Sequence, residues 1–426
     1  MRLPNSPTLV LASRLVGIVL AFASAPVVAR ALGPDGRGAS AAALAILALM
    51  PVLVGFGLPL VVRRRTSMPA ALGDAVRTVR ILALAAVLPA AALGYLIAPI
   101  LLPTVDIYAT HAFVIGCGAA PLALLWMCDA NILLAQSRLV AYSVLNVLPS
   151  ATFLIAVGIA WPVDALSVGF VLAANVGSTV VTLIVSSLMV RIDMRGGRAR
   201  PIPLLREGAS FAGSQLAEAA SYRLDQALAL ALIGSTEAGF YAVAATVAMV
   251  PFAAGQAVGA AAFQRLADES GGRERQLNLS ATVVRFGFVA ATLASLLLAV
   301  MTPWAVPFVF GSQFAPAVIP TLLALIGSTA VASTYVLNSV LVAQGRGWLM
   351  TLSQVSGLTV GMALLLLLGP SLGAVGAAVA STLGYLVTAA ASTTATRIPI
   401  SRLFPRRGDL RATIRFLLRG ALPDHS

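Results

Sequence analysis

The sequence predicts an all-α polytopic membrane protein that crosses the bilayer about twelve times, in two lobes of six helices with both chain ends in the cytoplasm. Three observations predict this fold: a hydrophobic composition, an alternation of arginine along the chain and an internal duplication. Of the 426 residues, 59% are hydrophobic and 10% are charged, and the mean hydropathy is +0.95. A soluble domain of this length needs a far more polar surface, so the composition excludes one.

Long apolar runs separated by short polar breaks indicate membrane helices. A helix needs ~20 residues to cross ~30 Å of hydrocarbon, and it satisfies its backbone hydrogen bonds internally. The runs are too long for the strands of a membrane barrel. The predicted spans are residues 8–31, 39–61, 80–102, 111–134, 140–161, 165–190, 210–233, 238–263, 281–301, 315–343, 349–368 and 372–395.

The distribution of arginine predicts the orientation of these spans. The chain has 28 basic residues and no lysine, and nearly all the arginines fall in even-numbered breaks or near the chain ends. Cytoplasmic loops carry such an excess of positive charge, so both ends are expected in the cytoplasm. The net charge of +13 is explained by topology and by attraction to anionic lipids, and we do not expect a nucleic-acid partner.

Two pairs of similar segments indicate a duplication of six spans. Residues 32–38 match residues 233–239 at an offset of 201, and residues 133–138 match residues 341–346 at an offset of 208. Both halves then start on the same side and are related by an axis along the membrane normal. The predicted organisation is a first lobe over 1–190, a basic linker over 191–207, a second lobe over 208–395 and a basic tail over 396–426. In the tail, arginines at i, i+4 spacing (Arg407, Arg411, Arg415 and Arg419) predict an interfacial helix.

Several motifs resemble the bacterial polysaccharide flippases, the O-antigen and capsule-unit translocases of the multidrug/oligosaccharidyl-lipid/polysaccharide (MOP) exporter superfamily. The similar segments are 29–38, 55–59 with Arg63, 224–226, 239–244 and 310–317. The resemblance implies two six-helix bundles in a V that open alternately to each side of the bacterial inner membrane. It also implies an undecaprenyl-diphosphate-linked glycan as cargo, for O-antigen, lipopolysaccharide or capsule, and polysaccharide assembly enzymes as partners.

The seventh span carries the most charge inside the predicted membrane region. Gln215, Glu218, Tyr222 and Asp225 fall within a sector of about 80°, which suits a water-filled cleft, and Arg223 points away from this stripe. A guanidinium could hold a diphosphate in a bidentate way, and the acids could carry a proton or a sodium ion. The alternative is that these charges form ion pairs that fix helix packing. Asp225 also matches an acid that is common in the resembled family. That match favours a structural or gating role as much as contact with the cargo.

Other polar residues in the spans are further candidates. Arg14 could meet a diphosphate at the inner mouth, or it could reach back to the interface. Asp129 is a candidate for ion coupling or gating, and pairing with Arg138 or a nearby basic loop is the favoured interpretation. Asn146 and Asn338 could bind sugars, although interhelical hydrogen bonds are the commoner use of such amides.

Catalysis is poorly supported, and no catalytic residue, metal site or cofactor is predicted beyond a coupling ion. His111 and His425 are the only histidines, and no nucleophile elbow or phosphate loop is found. Two alternatives to a flippase remain. A multidrug antiporter of the same superfamily would need an acidic cavity. A membrane glycosyltransferase or polymerase would need a large external loop, and the predicted external connections are short.

Overall fold

The computed structural model describes residues 7–413, apart from 67–68, 104, 191–195, 269–272, 345, 407 and 411. Within this part of the chain the secondary structure is helical. Thirteen α-helices occur there: α1 Pro7–Gly55, α2 Leu58–Arg65, α3 Pro69–Ala85, α4 Val87–Leu101, α5 Ile107–Ala135, α6 Leu139–Ala160, α7 Val168–Met189, α8 Pro201–Ile233, α9 Ser235–Asp268, α10 Arg273–Phe310, α11 Val318–Ala343, α12 Gly347–Thr396 and α13 Ile400–Leu403.

Nine stretches among the described residues are long and apolar enough to cross a membrane. Helix α8 is 33 residues long but does not meet that criterion, because it carries too many charged side chains. The chain is therefore a multi-pass helical membrane protein. The count of twelve spans and the cytoplasmic position of both ends stay predictions.

Helix α12, with 50 residues, is a hairpin of two arms rather than one long rod. Gly373 breaks the helical backbone with φ 56° and ψ −133°. A Cβ placed on Gly384 would lie 3.0 Å from Cα of Gly361 and 2.8 Å from the carbonyl oxygen of Gly357. Residues so far apart along a straight helix could not touch, so the two arms pack against each other through these glycines. This hairpin corresponds to the two predicted spans at 349–368 and 372–395.

Helix α1 bends in the same manner at Gly33, which has φ 66° and ψ −175°. Val28 and Leu44 pack in one small cluster with Val157 and Val171. Sixteen residues of straight helix would separate Val28 from Leu44 by ~24 Å, so the chain folds back between them. The predicted spans 8–31 and 39–61 are these two arms, with the end of the second continued by α2.

By packing, the chain forms two compact units, residues 1–239 and residues 240–426. Unit 1 has a core of α2, α3, α5 and α6 residues, among them Val61, Val79, Leu124 and Leu145. Unit 2 has a core of Val258, Val283, Phe286, Val336 and Val340. Helix α8, which the sequence places in the second lobe, packs on α1 and α2 within unit 1. The predicted lobe and linker boundaries stay predictions.

The segment before α8 is held against α3. Arg77 donates from Nε to the carbonyl oxygen of Gly197 over 2.6 Å, and Thr78 donates from Oγ1 to that of Ala199 over 2.9 Å. The N–H of Ala199 donates to the carbonyl oxygen of Asp74. The described part of the predicted linker is therefore fixed to unit 1. Arg191 and Arg195 lie outside the described residues.

The backbone supports the internal duplication. Gly234 has φ 82° and ψ 170°, close to the conformation of Gly33 at the offset of 201. The N–H of Arg138 donates to the carbonyl oxygen of Leu133, and the N–H of Arg346 donates to that of Leu341 at the offset of 208. Equivalent sequence positions thus adopt equivalent backbone structure.

The two duplicated glycine connections also contact each other reciprocally inside unit 1. A Cβ on Gly38 would overlap the carbonyl oxygen of Ser235, and a Cβ on Gly239 would overlap that of Pro34. Gly239 and Ser235 are the counterparts of Gly38 and Pro34 at the offset of 201. This exchange of partners is the pattern of a local two-fold axis, and only glycine permits such close backbone approach.

Candidate functional site

Arg14 and Asn146 come together at Tyr142 in unit 1. Arg14, an exposed residue on the first arm of α1, donates from Nη2 to the Tyr142 hydroxyl over 3.2 Å. Asn146, one turn further along α6, donates from Nδ2 to the carbonyl oxygen of Tyr142 over 3.2 Å. Helices α1 and α6 approach closely here because Gly17 has no side chain: a Cβ at this position would lie 3.3 Å from the carbonyl oxygen of Asn146.

A second arginine acts on the same phenol. The charge of Arg63, at the end of α2, acts on Tyr142 more weakly than that of Arg14 does, and the Arg63 side chain is exposed. We call Arg14, Arg63, Tyr142 and Asn146 the Tyr142 cluster. Two guanidinium groups beside a phenol and an amide form a cationic surface with directional donors, which is the chemistry that recognises phosphate oxygens.

The two neighbouring arginines share one carboxylate, that of Glu207. Arg65 forms a salt bridge from Nη2 to Oε2 of Glu207 at 2.7 Å. Arg64 lies 3.9 Å from the same carboxylate, and its side chain is 73% exposed. The basic run at 63–65 therefore keeps net positive charge while Glu207 ties it to the start of α8.

The uninterrupted helix α8 keeps the predicted polar stripe on one face. Gln215, Glu218, Tyr222 and Asp225 are all partly buried, and Oδ1 of Asp225 accepts a hydrogen bond from the N–H of Gln226 over 2.7 Å. Arg223 is exposed, away from that face as expected. The start of α8 is held where Gly208 contacts the backbone at Phe56, with its Cβ position overlapping that carbonyl oxygen.

Asp129 belongs to a separate buried group. Its carboxylate is 2% exposed, accepts a hydrogen bond from the Ser186 hydroxyl over 2.8 Å and lies 3.6 Å from Nη2 of Arg80. Arg138 instead donates to the carbonyl oxygen of Met189. The carboxylate of Asp129 thus pairs with Arg80 on α3, the first residue of the third predicted span, whereas Arg138 reaches a helix end.

Asn338 lies in unit 2, in a packed interhelical contact. It is 5% exposed, and its Oδ1 accepts a hydrogen bond from Ser392 over 3.5 Å. Of the predicted polar residues, Arg14 and Asn146 are thus brought together at Tyr142, and Asn338 is placed in the other unit.

The connection at Gly33 contains a further polar contact. Oδ1 of Asp35 accepts hydrogen bonds from the hydroxyls of Ser235 at 2.7 Å and Thr236 at 2.6 Å. These donors, Ser235 first and then Thr236, lower the pKa of the Asp35 carboxyl from its ordinary value. The carboxylate also lies at the start of α9, where a helix favours negative charge.

Sequence reasoning missed Tyr142, Ser186 and the partners of Asp35. Each contacts a residue far away in the chain, such as Arg14 and Tyr142 at 128 positions, so no local pattern signals the pair. Among the described residues, no group of three or more His, Cys, Asp or Glu side chains is placed to hold a metal ion.

The fold is shared with transporters of the MOP superfamily. A MATE-family multidrug resistance transporter of that superfamily, in an inward-facing conformation, aligns over 92% of this chain and 98% of its own with 14% identity and a TM-score of 0.67. The lipid II flippase MurJ, in an inward closed conformation, aligns over 96% of this chain and 91% of its own with 10% identity and a TM-score of 0.69. The Vibrio cholerae MATE transporter VcmN, as its D35N mutant, aligns over 91% and 94% with 14% identity and a TM-score of 0.64.

These similarities define the class: a multi-pass helical membrane protein with the MOP transporter fold. The chain belongs to the polysaccharide biosynthesis protein family, which matches residues 7–263. The resemblance inferred from the motifs is therefore confirmed. No protein among the curated sequences matches this chain.

Proposed function

We propose that this protein is a flippase that carries undecaprenyl-diphosphate-linked oligosaccharides across the bacterial cytoplasmic membrane by alternating access. The proposal combines the family, which is one of polysaccharide biosynthesis, with the fold of MOP transporters. The product would be a surface polysaccharide such as O-antigen, lipopolysaccharide or capsule. Its partners would be the enzymes that assemble this polymer, and the protein would act as a transporter rather than as an enzyme.

The observation that carries the proposal is the Tyr142 cluster, in which the Arg14 and Arg63 side chains are exposed beside the buried Tyr142. A diphosphate must lose part of its hydration to leave the aqueous surface, and charge-assisted hydrogen bonds from arginine offset that cost. Arg14 is already held at one end by Tyr142, so less side-chain freedom is lost when it binds an anion. In this proposal the lipid tail stays in the bilayer while the sugar and diphosphate move through the protein.

The proposed topology has twelve spans with both ends in the cytoplasm. Each hairpin, α1 and α12, supplies two crossings, because 44 and 50 residues are about twice the ~20 that one crossing needs. Helix α8 supplies a crossing despite its charges. Under this topology the Tyr142 cluster lies at the cytoplasmic end of unit 1, where a lipid-linked sugar made in the cytoplasm would enter.

The remaining candidate residues have proposed roles along α8 and in unit 2. Arg223, Tyr222 and Gln215 would contact the cargo, and Glu218, Asp225 and Asp129 would serve ion coupling or gating with protons or sodium ions. Asn146 would support the diphosphate contact through Tyr142. The burial of Asn338 limits it to cargo contact in a different conformation.

The proposal is tested by translocation of a fluorescent undecaprenyl-diphosphate sugar in proteoliposomes. Arg14→Ala and Arg223→Ala should each slow translocation at least tenfold while leaving purification and thermal unfolding unchanged. Arg275→Ala, at an exposed arginine near the start of α10, is the matched control and should behave as wild type. Full activity of the Arg14→Ala, Arg223→Ala double variant would exclude the diphosphate role.

A multidrug antiporter is the second candidate, favoured by the acids Glu218 and Asp225 on the α8 stripe and by the MATE fold. It predicts that lipophilic cations compete with transport and that Glu218→Gln abolishes cation efflux. Cation efflux by the wild-type protein in vesicles, without translocation of the lipid-linked sugar, would favour this candidate over the flippase.

A further inference from the structure

The segment that follows α12, which ends at Thr396, packs back on unit 2. Residues 397–413, which we call the C-terminal strap, return to unit 2. Ile398 is buried, and Leu403 and Ala412 pack on the core cluster that includes Val283 and Phe286. One face of the strap is therefore part of the core of unit 2.

A buried ion pair fixes the strap to α10. Oδ2 of Asp409 accepts hydrogen bonds from Nε of Arg285 over 2.9 Å and from the N–H of Arg406 over 2.8 Å. Nη1 of Arg285 also donates to the carbonyl oxygen of Arg402 over 2.7 Å. At the rim, Nη1 of Arg402 donates to Oε2 of Glu274 over 2.9 Å. Because Arg285 is 5% exposed, losing the Asp409 carboxylate would leave a buried charge without its main counterion.

The duplication explains why the strap is needed there. Arg80 in unit 1 is the counterpart of Arg285 at an offset of 205, between the offsets of the two matched motifs. Arg80 finds its carboxylate on α5, at Asp129. The corresponding positions of α11, at offsets of 208 and 209, hold Leu337 and Asn338. Unit 2 therefore obtains its carboxylate from the strap instead of from a span.

The opposite face of the strap is amphipathic. Phe404 is 66% exposed and Leu410 is 45% exposed, and the Arg406 side chain is also exposed. The sequence adds Arg407 and Arg411 in the same short stretch, outside the described residues. Asp409, the one acid between positions 397 and 413, is turned inward to Arg285, so it does not offset the charge of the exposed Arg406.

We propose that the outer face of the C-terminal strap is a docking surface for the anionic lipid headgroups of the inner leaflet. The strap begins directly after a membrane hairpin, so it lies at the level of the bilayer surface. Phe404 and Leu410 insert among the headgroups, and the Arg406 guanidinium binds a lipid phosphate. The Arg285–Asp409 pair holds this face toward the membrane, and the surface does not depend on the identity of the transported molecule.

An environment-sensitive fluorophore on a Phe404→Cys variant of the full chain tests this surface. Both native cysteines are buried, so the introduced thiol is labelled selectively. In nanodiscs with phosphatidylglycerol, the probe emission should shift to the blue and be quenched by lipids that carry a nitroxide near the headgroup. Both effects should be much smaller in pure phosphatidylcholine and should weaken at high salt. Adding Arg406→Gln should reduce the preference for phosphatidylglycerol about fivefold.

Two controls define the scale. A Leu296→Cys variant, at a position of α10 that is 60% exposed and lies inside the predicted span 281–301, should show the same blue-shifted emission in both lipids. An Arg198→Cys variant, exposed in the described segment before α8 and outside the predicted spans, should not respond to phosphatidylglycerol. A probe at position 404 that stays water-exposed in both nanodiscs would overturn the proposal and would favour an acidic protein as the partner of this face. Equal quenching in both lipids would overturn the requirement for anionic headgroups.

Discussion

The phenol of Tyr142 orients Arg14, and this contact can be removed without changing the size of the side chain. Tyr142→Phe deletes the hydroxyl that accepts from Nη2 of Arg14 and leaves the ring in place. A hydrogen bond of this kind is worth ~1 kcal/mol net, so we expect translocation of the lipid-linked sugar to slow about threefold to tenfold. The measurement is the initial rate in proteoliposomes. Tyr108→Phe, at an exposed tyrosine on α5, should keep the wild-type rate, and an equal loss in both variants would contradict the role of Tyr142.

The buried carboxylate of Asp129 predicts a strong dependence on its partners. Asp129→Leu leaves Arg80 without its carboxylate and should destabilise unit 1 by ~3 kcal/mol. Ser186→Ala removes only the hydroxyl donor and should cost ~1 kcal/mol. Combining Asp129→Leu with Arg80→Met should restore most of the loss, because neither charge is then left buried. Thermal unfolding in detergent measures all four proteins. A double variant no more stable than Asp129→Leu alone would show that this pair does not act as a unit.

At the scale of helices, glycine contacts in the α12 hairpin can be tested against a matched glycine elsewhere. A Cβ on Gly357 would overlap Oγ1 of Thr388 and lie 2.5 Å from the carbonyl oxygen of Gly384, whereas a Cβ on Gly177 in α7 meets no atom within 4 Å. Gly357→Ala should therefore separate the arms and destabilise the protein by ~1–3 kcal/mol. Gly177→Ala should be neutral or stabilise it by up to ~1 kcal/mol. The measurement is the unfolding midpoint of each variant in detergent. Equal midpoints for Gly357→Ala and Gly177→Ala would show that close packing of the two arms does not contribute to stability.

The sequence predicts the position of a helix well where the hydrophobicity of a long run determines it. It predicts the packing of a helix less well, because single residue contacts determine which neighbour the helix packs against. The apolar runs predict the arms of α1 and α12 because each has the length of one crossing. They do not predict that α8 packs in unit 1, because its choice between neighbours depends on the Gly57–Gly208 contact and the Arg65–Glu207 pair. Candidate site residues show the same limit. Charge inside a span identifies Arg14 and Asp129, while their partners Tyr142 and Ser186 become visible only when distant helices pack.

At the scale of the whole molecule, the arginine distribution makes a prediction about the orientation of every connection. Asp164 lies in the break between α6 and α7 and Ser401 lies after α12, and both are exposed. Because one break is poor in arginine and the other region is rich in it, the positive-inside rule places them on opposite sides. Asp164→Cys should react with a membrane-impermeant maleimide in intact cells, and Ser401→Cys only after permeabilisation. The buried native cysteines keep the background low. Labelling of both positions from the same side would require an even number of crossings between them, whereas the predicted topology has seven. One arm of a hairpin, or α8, would then not cross the membrane, and the two halves would no longer have six crossings each.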